Sequence, residues 1–239
     1  MSALPPASST LPVLPSARLE RGRQAAPQVF EWLRGSIIDL SLPPGTVLSR
    51  ADLAQQFGVS STPVRDALMR LQEEGLVDVF PQHATVVSPI DIRAVNQAHF
   101  LRRSLEIETV RTVARAPSGD LAERLGRSVA RMQAMFELQD FEGFAIEDES
   151  FHRQLFEAAG VPDLWPLVRS RSGHLDRLRR LHLPSPGKGE AILKDHAAVV
   201  AAIAAADPDA AEACMRRHLA GTVANLDDIR TRHPDYLRS

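Results

Sequence analysis

Four side chains that could bind a metal ion recur at spacings that helices would bring together. Asp148 and His152 are four residues apart, so on a helix they share one face, with Cβ atoms about 6 Å apart. His196 and His218 lie 22 residues apart, with Asp207 midway between them. Asp207-Pro208 is typical of a turn followed by a helix start. Two helices that fold back there would place His196 beside His218.

The types of these four side chains indicate which ions they could hold. Imidazole and carboxylate together suit zinc, nickel, manganese or ferrous iron better than calcium. Spacing alone also allows a plain structural role, on the surface or as satisfied core residues, because 8 histidines in 239 residues is an ordinary number. The spacing alone therefore allows two interpretations, a metal site or a structural role for these side chains.

Composition excludes several classes of protein. The single cysteine, Cys214, excludes an internal disulfide framework and a cysteine zinc site, and it fits a reducing cytoplasm. No apolar run approaches the roughly 20 residues needed to cross a bilayer, so we expect no membrane partner. The first positive charge, Arg18, comes too late for a secretory signal, so we expect a cytoplasmic protein. The formal net charge of −2 gives no overall sign of nucleic-acid binding.

Changes in local composition divide the chain into three parts. Residues 1–26 open with an uncharged stretch rich in proline, serine and alanine, and we predict a disordered tail. Residues 27–89 combine short elements with turns, and residues 90–232 indicate about six or seven helices rich in alanine and leucine. The predicted fold class is mainly α, with an N-terminal winged helix-turn-helix domain and a C-terminal all-α helical bundle.

The pattern within residues 27–89 predicts three helices and a hairpin. Gly58 would end the second helix, and Ser60, Ser61 and Thr62 offer caps for the third. A helix, a glycine turn, a capped helix and a hairpin form the arrangement of a winged helix-turn-helix, whose third helix fits the major groove. A small domain without a DNA-binding role is the alternative from the pattern alone.

The densest pattern in the chain runs from Leu48 to Ser88, LSRADLAQQFGVSSTPVRDALMRLQEEGLVDVFPQHATVVS. This string closely resembles the winged helix-turn-helix signature of the GntR family of bacterial transcription regulators. The resemblance implies a homodimer that binds double-stranded operator DNA, with a base-edge or phosphate contact from the third helix and a minor-groove contact at the wing tip. Carried over by position, the DNA-binding residues would be Arg50, Ser60, Ser61, Thr62, Arg65 and His83.

Three positions depart from that signature. Ser61 stands where the family usually has an arginine that reads guanine, Ala84 replaces the wing glycine, and Leu40 replaces a glycine in an earlier turn. Loss of one bidentate arginine–guanine pair would remove about 1–3 kcal/mol of base discrimination. We therefore expect either a different operator or a lower affinity.

The C-terminal part contains three notable strings: DESFH (148–152), KDHAAVVAAI (194–203) and CMRRHL (214–219). They resemble the FCD ligand-binding domain of the FadR-like subgroup of GntR regulators. The resemblance implies that Asp148, His152, His196 and His218 hold a divalent ion, with zinc favoured. It also places Arg102 facing the pocket, where this arginine could bind a small carboxylate effector.

These observations together predict a ligand-responsive DNA-binding regulator and not an enzyme. The alternative function is a metal-dependent hydrolase, or another metalloenzyme, in which the three histidines and one aspartate activate water. A third possibility keeps DNA binding but gives the metal a purely structural role. The direction of the response, release or promotion of DNA binding, stays open.

Overall fold

The structure is a computed structural model that describes residues 19–81, 84–221, 223 and 226–238. The chain is mainly helical and divides into two compact units. The first unit takes in the residues up to Ile92 together with those from Arg230 onward, and the second unit is Arg93–Ile229. The predicted fold class is confirmed. Most of the predicted tail, residues 1–18, lies outside the described residues.

The first unit contains a three-helix core and a two-stranded hairpin. Strands β1 and β2 pair antiparallel, with Val77 opposite Val87 and Phe80 opposite Ala84. The order of helix, turn, helix and hairpin is that of a winged helix-turn-helix. The elements are α1 (Ala25–Ile38), α2 (Arg50–Phe57), α3 (Ser61–Glu73), β1 (Val77–Phe80) and β2 (Ala84–Val87).

Local signals set the turn between α2 and α3. Ser49 caps α2, since its side chain accepts a hydrogen bond from the backbone N–H of Asp52. Gly58 ends α2 in the left-handed region, at φ 64°, where a glycine carries no steric penalty. Helix α3 then buries one apolar face in the core and leaves the opposite face exposed. The buried residues of α3 are Val64, Ala67, Leu68 and Leu71.

Leu40 is the departure from the family signature with a visible backbone consequence. It lies at φ 68°, in the left-handed region that favours glycine. A leucine there costs roughly 1–2 kcal/mol, so the surrounding turn must impose the conformation. Ala84 opens β2 within an ordinary antiparallel pair, and nothing in the backbone there requires a glycine.

The second unit is a helical bundle around a main apolar core, with a smaller buried cluster at Phe156, Trp165 and Val168. Helix α5 packs mainly on α6 and α9, and α9 packs on α10. Eight helices are described after residue 91, against the six or seven predicted, because only Ser172 separates α7 from α8. They are α4 (Ile92–Arg115), α5 (Leu121–Glu137), α6 (Phe141–Ala158), α7 (Leu164–Arg171), α8 (Gly173–His182), α9 (Lys188–Ala204), α10 (Pro208–Ala220) and α11 (Leu226–Arg232).

The ends of the predicted domains differ from the observed units for a physical reason. Strands β3 (Ile90–Asp91) and β4 (Leu237–Arg238) pair in parallel, so the C-terminal segment joins the first unit. Residues 90–92 and 230–232, predicted within the second domain, therefore fall in the first unit. Helix α1 begins at Ala25 and so includes the last two residues of the predicted tail. The predicted boundaries themselves stay predictions.

None of the described helices is both long enough and apolar enough to serve as a transmembrane span.

Candidate functional site

The structure brings Asp148, His152, His196 and His218 together in the interior of the second unit. Asp148 and His152 lie one turn apart on α6, and the two other histidines come from α9 and α10. Each residue offers one ligand atom, and these four atoms all lie within 4.8 Å of one another. All four side chains are buried. The cluster is therefore a real spatial grouping and not four separate surface positions.

The turn between α9 and α10 sets the position of two of these rings. The Asp207 side chain accepts hydrogen bonds from the backbone N–H groups of Asp209 and Ala210, at 3.1 and 2.9 Å, and so caps α10. Folding back at this cap places the His196 and His218 rings 4.3 Å apart between centroids. The Phe151 ring stacks on His196 at 4.2 Å, which restricts the orientation of that imidazole.

Most polar atoms of the cluster lack hydrogen-bond partners. Within the described part of the chain, this holds for Asp148 Oδ1, His152 Nε2 and both ring nitrogens of His196 and His218. A buried polar atom without a partner costs about 1–3 kcal/mol, so six of them in one place are unfavourable unless another group binds there. Asp148 Oδ1 lies 3.7 Å from His196 Nε2 and 3.9 Å from His152 Nε2. Those spacings are close to the roughly 3.4 Å between ligands around tetrahedral zinc, so the donor set fits a divalent ion.

Electrostatics keep the cluster in the protonation state that a metal requires. Burial alone would raise the pKa of Asp148, but the Arg179 guanidinium and the neighbouring imidazoles hold it well below its ordinary value. Burial lowers the pKa of His196 to about 3, although the attraction to Asp148 opposes the shift. Burial and the two neighbouring imidazoles also hold the pKa of His218 well below its usual range. At neutral pH the cluster therefore offers a carboxylate and at least two neutral imidazoles.

Two residues beside the cluster were not found from the sequence. Arg179, on α8, donates a hydrogen bond to Asp148 Oδ2 and leaves Oδ1 facing the histidines. Glu106, on α4, is fully buried, and its Oε2 lies 2.7 Å from His152 Nδ1. The four-residue spacing of Arg102 and Glu106 is a signal for their pairing, but nothing in the sequence links Arg179 to Asp148.

Arg102, predicted to bind an effector, is 3 % exposed. Its Nε donates a hydrogen bond to Glu106 Oε1 at 2.5 Å, and among the described residues Glu106 is the one acceptor that the Arg102 side chain contacts. Burial would raise the pKa of Glu106, yet the Arg102 guanidinium and the His152 ring lower it to about 2. The pair is thus a buried, charged contact beside the histidine cluster, and effector binding by Arg102 stays a prediction.

The residues predicted to contact DNA lie on the first unit. Those that the structure describes are all exposed, at or near the starts of α2 and α3. The Arg65 side chain is 59 % exposed, and its one ion pair among the described residues is with the neighbouring Asp66, at 3.3 Å. Such an exposed pair is worth little, so the guanidinium can exchange it for a phosphate or a base. The described set is Arg50, Ser60, Ser61, Thr62 and Arg65, while His83 lies outside the described residues.

A groove runs between α3 and the hairpin. Arg50 and Arg65 line it together with Gln72 on α3 and with Phe80 and Pro81 at the end of β1. Cationic, amide and apolar groups therefore face one concave surface, which is the composition that contacts phosphates and base edges in a DNA groove.

Comparisons with known proteins identify both units. The family model described as "Bacterial regulatory proteins, gntR family" matches residues 25–87, and the model described as "FCD domain" matches residues 97–221. The chain belongs to the GntR family, with an FCD domain. This GntR regulator is a ligand-responsive, DNA-binding transcriptional regulator. Its assignment to the FadR-like subgroup stays a prediction.

Individual relatives agree with that assignment. An uncharacterized HTH-type transcriptional regulator in an unstable DNA locus of Streptomyces ambofaciens is 34% identical over 218 residues, which cover 90% of each chain. The HTH-type transcriptional repressor RspR of Escherichia coli K12 is 27% identical, over 87% of this GntR regulator and 92% of RspR. The solved structure of E. coli McbR/YncC shares its fold, with a TM-score of 0.73 and 21% identity, covering 88% of this chain and 99% of that one. The matched families and relatives are transcriptional regulators and not enzymes, so nothing favours the hydrolase alternative.

The buried histidines of this GntR regulator should make its metal-free form sensitive to acid. His196 and His218 have lowered pKa values in the folded state, whereas unfolded imidazoles titrate near pH 6.5. The unfolded state then binds more protons than the folded state below about pH 6.5. The free energy of unfolding therefore decreases as the pH is lowered, by up to about 1.4 kcal/mol per pH unit for each histidine. Urea unfolding of chelator-treated protein between about pH 7 and pH 5 measures this slope.

A histidine variant supplies the control for that measurement. His218→Gln removes one of the two titrating groups, so its slope should be about half that of the wild type. A free energy of unfolding that does not change over this pH range would contradict the assigned protonation states.

Proposed function

We propose that this regulator binds operator DNA as a homodimer while its second unit holds a divalent ion and a small organic acid. The buried, unpartnered donor set of Asp148, His152, His196 and His218 is the observation that carries the proposal. The same four residues are those that the FCD resemblance assigns as ligands. Operator recognition rests on the exposed residues at the starts of α2 and α3.

The donor set supports zinc as the ion. One carboxylate and three imidazoles match the ligands of zinc, and nickel, manganese or ferrous iron are the alternatives. Arg179 occupies the second oxygen of Asp148, so this carboxylate would bind the ion through Oδ1. The ion would supply a local positive charge that can attract an anion.

Charge in the buried site supports an acid as the effector. Two carboxylates, Asp148 and Glu106, face two guanidiniums, Arg102 and Arg179, so the charges of these four groups cancel. The Asp176 carboxylate, which also contacts Arg179, is balanced by its closer contact with Arg169. A divalent ion would then leave an excess of two positive charges in a low-dielectric interior, which a carboxylate ligand can neutralise. Arg102 would assist with the nitrogens that do not face Glu106.

Ligand binding can act on DNA affinity only through a difference in affinity for two states of the dimer. Allosteric couplings of this kind typically amount to about 1–3 kcal/mol. We propose that the acid changes the relative placement of the two DNA-binding units in the homodimer. On a palindromic operator, such a shift changes how well both α3 helices fit successive major grooves.

At the DNA surface we propose that α3 enters the major groove. Arg65 would contact a base edge or a phosphate, and Ser60, Ser61 and Thr62 would contact phosphates at the helix start. Arg50 would contact the backbone from the start of α2, and the wing residue His83 would reach the minor groove. Exposure of the described members of this set supports the proposal.

Removal of a proposed metal ligand should remove the metal. His196→Ala or His218→Ala removes one of four donors and weakens zinc binding, so bound zinc after purification should fall clearly below about one ion per chain. Elemental analysis of purified protein measures it directly. His233→Ala, in the C-terminal segment where that ring packs on Tyr236, is the control and should keep the wild-type zinc content. Full zinc content in both cluster variants would defeat the assignment.

Loss of Arg65 should weaken operator binding without unfolding the domain. Arg65→Ala removes one phosphate or base contact and should cost about 1–3 kcal/mol of binding, with a shallower salt dependence. The assay is titration of a duplex that the wild type has selected from a random pool. Arg127→Ala, which removes a similarly exposed arginine (53 %) from an ion pair on α5, should bind like the wild type. Equal affinity of the Arg65 variant would show that α3 is not the reading helix.

An acid that binds through the metal should stabilise only metal-loaded protein. We expect lactate, malate or gluconate to raise the melting temperature of the zinc form by about 2–5 °C, and of the stripped form not at all. Lactamide, the neutral analogue of lactate, is the control and should have no effect on either form. Equal shifts with and without zinc would contradict coordination of the acid and leave the metal a structural role.

A further inference from the structure

Glu106 lies between a guanidinium and one of the clustered histidines. Its Oε1 is 2.5 Å from Arg102 Nε, and its Oε2 is 2.7 Å from His152 Nδ1. Both the Glu106 and the His152 side chains are fully buried, so no solvent competes for either contact. Glu106 is not one of the four clustered donors, yet it touches one of them.

The contact with Glu106 determines which ring nitrogen of His152 carries a proton. An ionised carboxylate only accepts hydrogen bonds, and a neutral imidazole has one N–H and one lone pair. At 2.7 Å, a lone pair on Nδ1 would face a second acceptor, which is repulsive. The proton therefore belongs on Nδ1, and the lone pair lies on Nε2, which is 3.9 Å from Asp148 Oδ1.

We propose that Glu106 is a positioning residue that holds His152 in the Nδ1–H tautomer, with Nε2 turned to the ion, while Arg102 fixes Glu106. This inference rests on the proposed metal function. Such carboxylate–histidine–metal arrangements orient the ring and raise its basicity as a ligand. The contact of Arg102 with Glu106 also connects the proposed acid anchor to a metal ligand through two direct contacts.

The other histidines show that this support is specific to His152. Within the described residues, no carboxylate lies as close to either of the other rings. The nearest, Asp148 Oδ1, is 3.7 Å from His196 Nε2, whereas Glu106 Oε2 is 2.7 Å from His152 Nδ1. Stacking on Phe151 orients His196, but stacking does not select a tautomer. Asp148 has its own outer partner, since Arg179 occupies Oδ2 and leaves Oδ1 to the cluster. Loss of Glu106 should therefore affect one imidazole and leave the other donors in place.

Zinc affinity of Glu106→Gln is the first test. The amide can turn its NH2 group towards Nδ1 and favour the wrong tautomer, so we expect zinc binding, measured by chelator competition, to weaken about 10- to 100-fold. Glu212→Gln is the matched control, because it also removes a glutamate from arginine ion pairs in the second unit. Its zinc affinity should stay within about twofold of the wild type. Wild-type affinity in Glu106→Gln would overturn the proposal.

The second test measures the tautomer of His152 directly, in wild-type protein. In chelator-treated wild type at about pH 8, ¹⁵N NMR should show His152 protonated at Nδ1 and not at Nε2. A His152→Gln spectrum assigns the signal. Protonation at Nε2 would overturn the role of Glu106. Failure of the wild type to take up zinc would instead overturn the metal function, which makes the two failures distinguishable.

Discussion

A buried, ionised carboxylate is the constraint that organises the second unit. Asp148 loses its hydration in the interior, which costs several kcal/mol unless positive or polar groups replace the water. Arg179 replaces it at one oxygen, and three imidazoles surround the other. The same arrangement leaves metal-ligand atoms without hydrogen-bond partners among the described residues. These buried atoms destabilise the fold unless a cation binds them.

Several helices supply the groups that surround the Asp148 carboxylate. Four-residue spacing on α6 places His152 one turn from the carboxylate, and the capped turn at Asp207 returns α10 alongside α9. Helix α4 contributes Glu106 and Arg102, and α8 contributes Arg179. Five helices therefore contribute groups around this charge, and residues of the same unit form its apolar core. A ligand that changes this charge balance acts on several helices at once.

The first unit shows how far local signals alone can go. A glycine stop at Gly58 and apolar faces of period 3.6 were sufficient to predict α2 and α3, because each signal acts within a few residues. The predicted serine cap of α3 is only partly present: α3 begins after Ser60, but the Ser60 side chain makes no capping hydrogen bond. The pairing of β3 with β4 could not be predicted in this way. It joins two-residue strands at Ile90 and Leu237, and such short strands have no periodic pattern.

The sequence by itself predicted the winged helix-turn-helix arrangement and the helical second domain. Helix periodicity and one capped turn also paired Asp148 with His152 and His196 with His218, but only the resemblance to the FCD domain joined the two pairs into one site. Tertiary structure alone decided which groups surround those donors. Arg179 lies 31 residues from Asp148 on another helix, and no spacing rule connects them. Glu106, on α4, likewise contacts His152 on a different helix, α6. Contacts between separate helices depend on how whole faces pack, so only the folded chain reveals them.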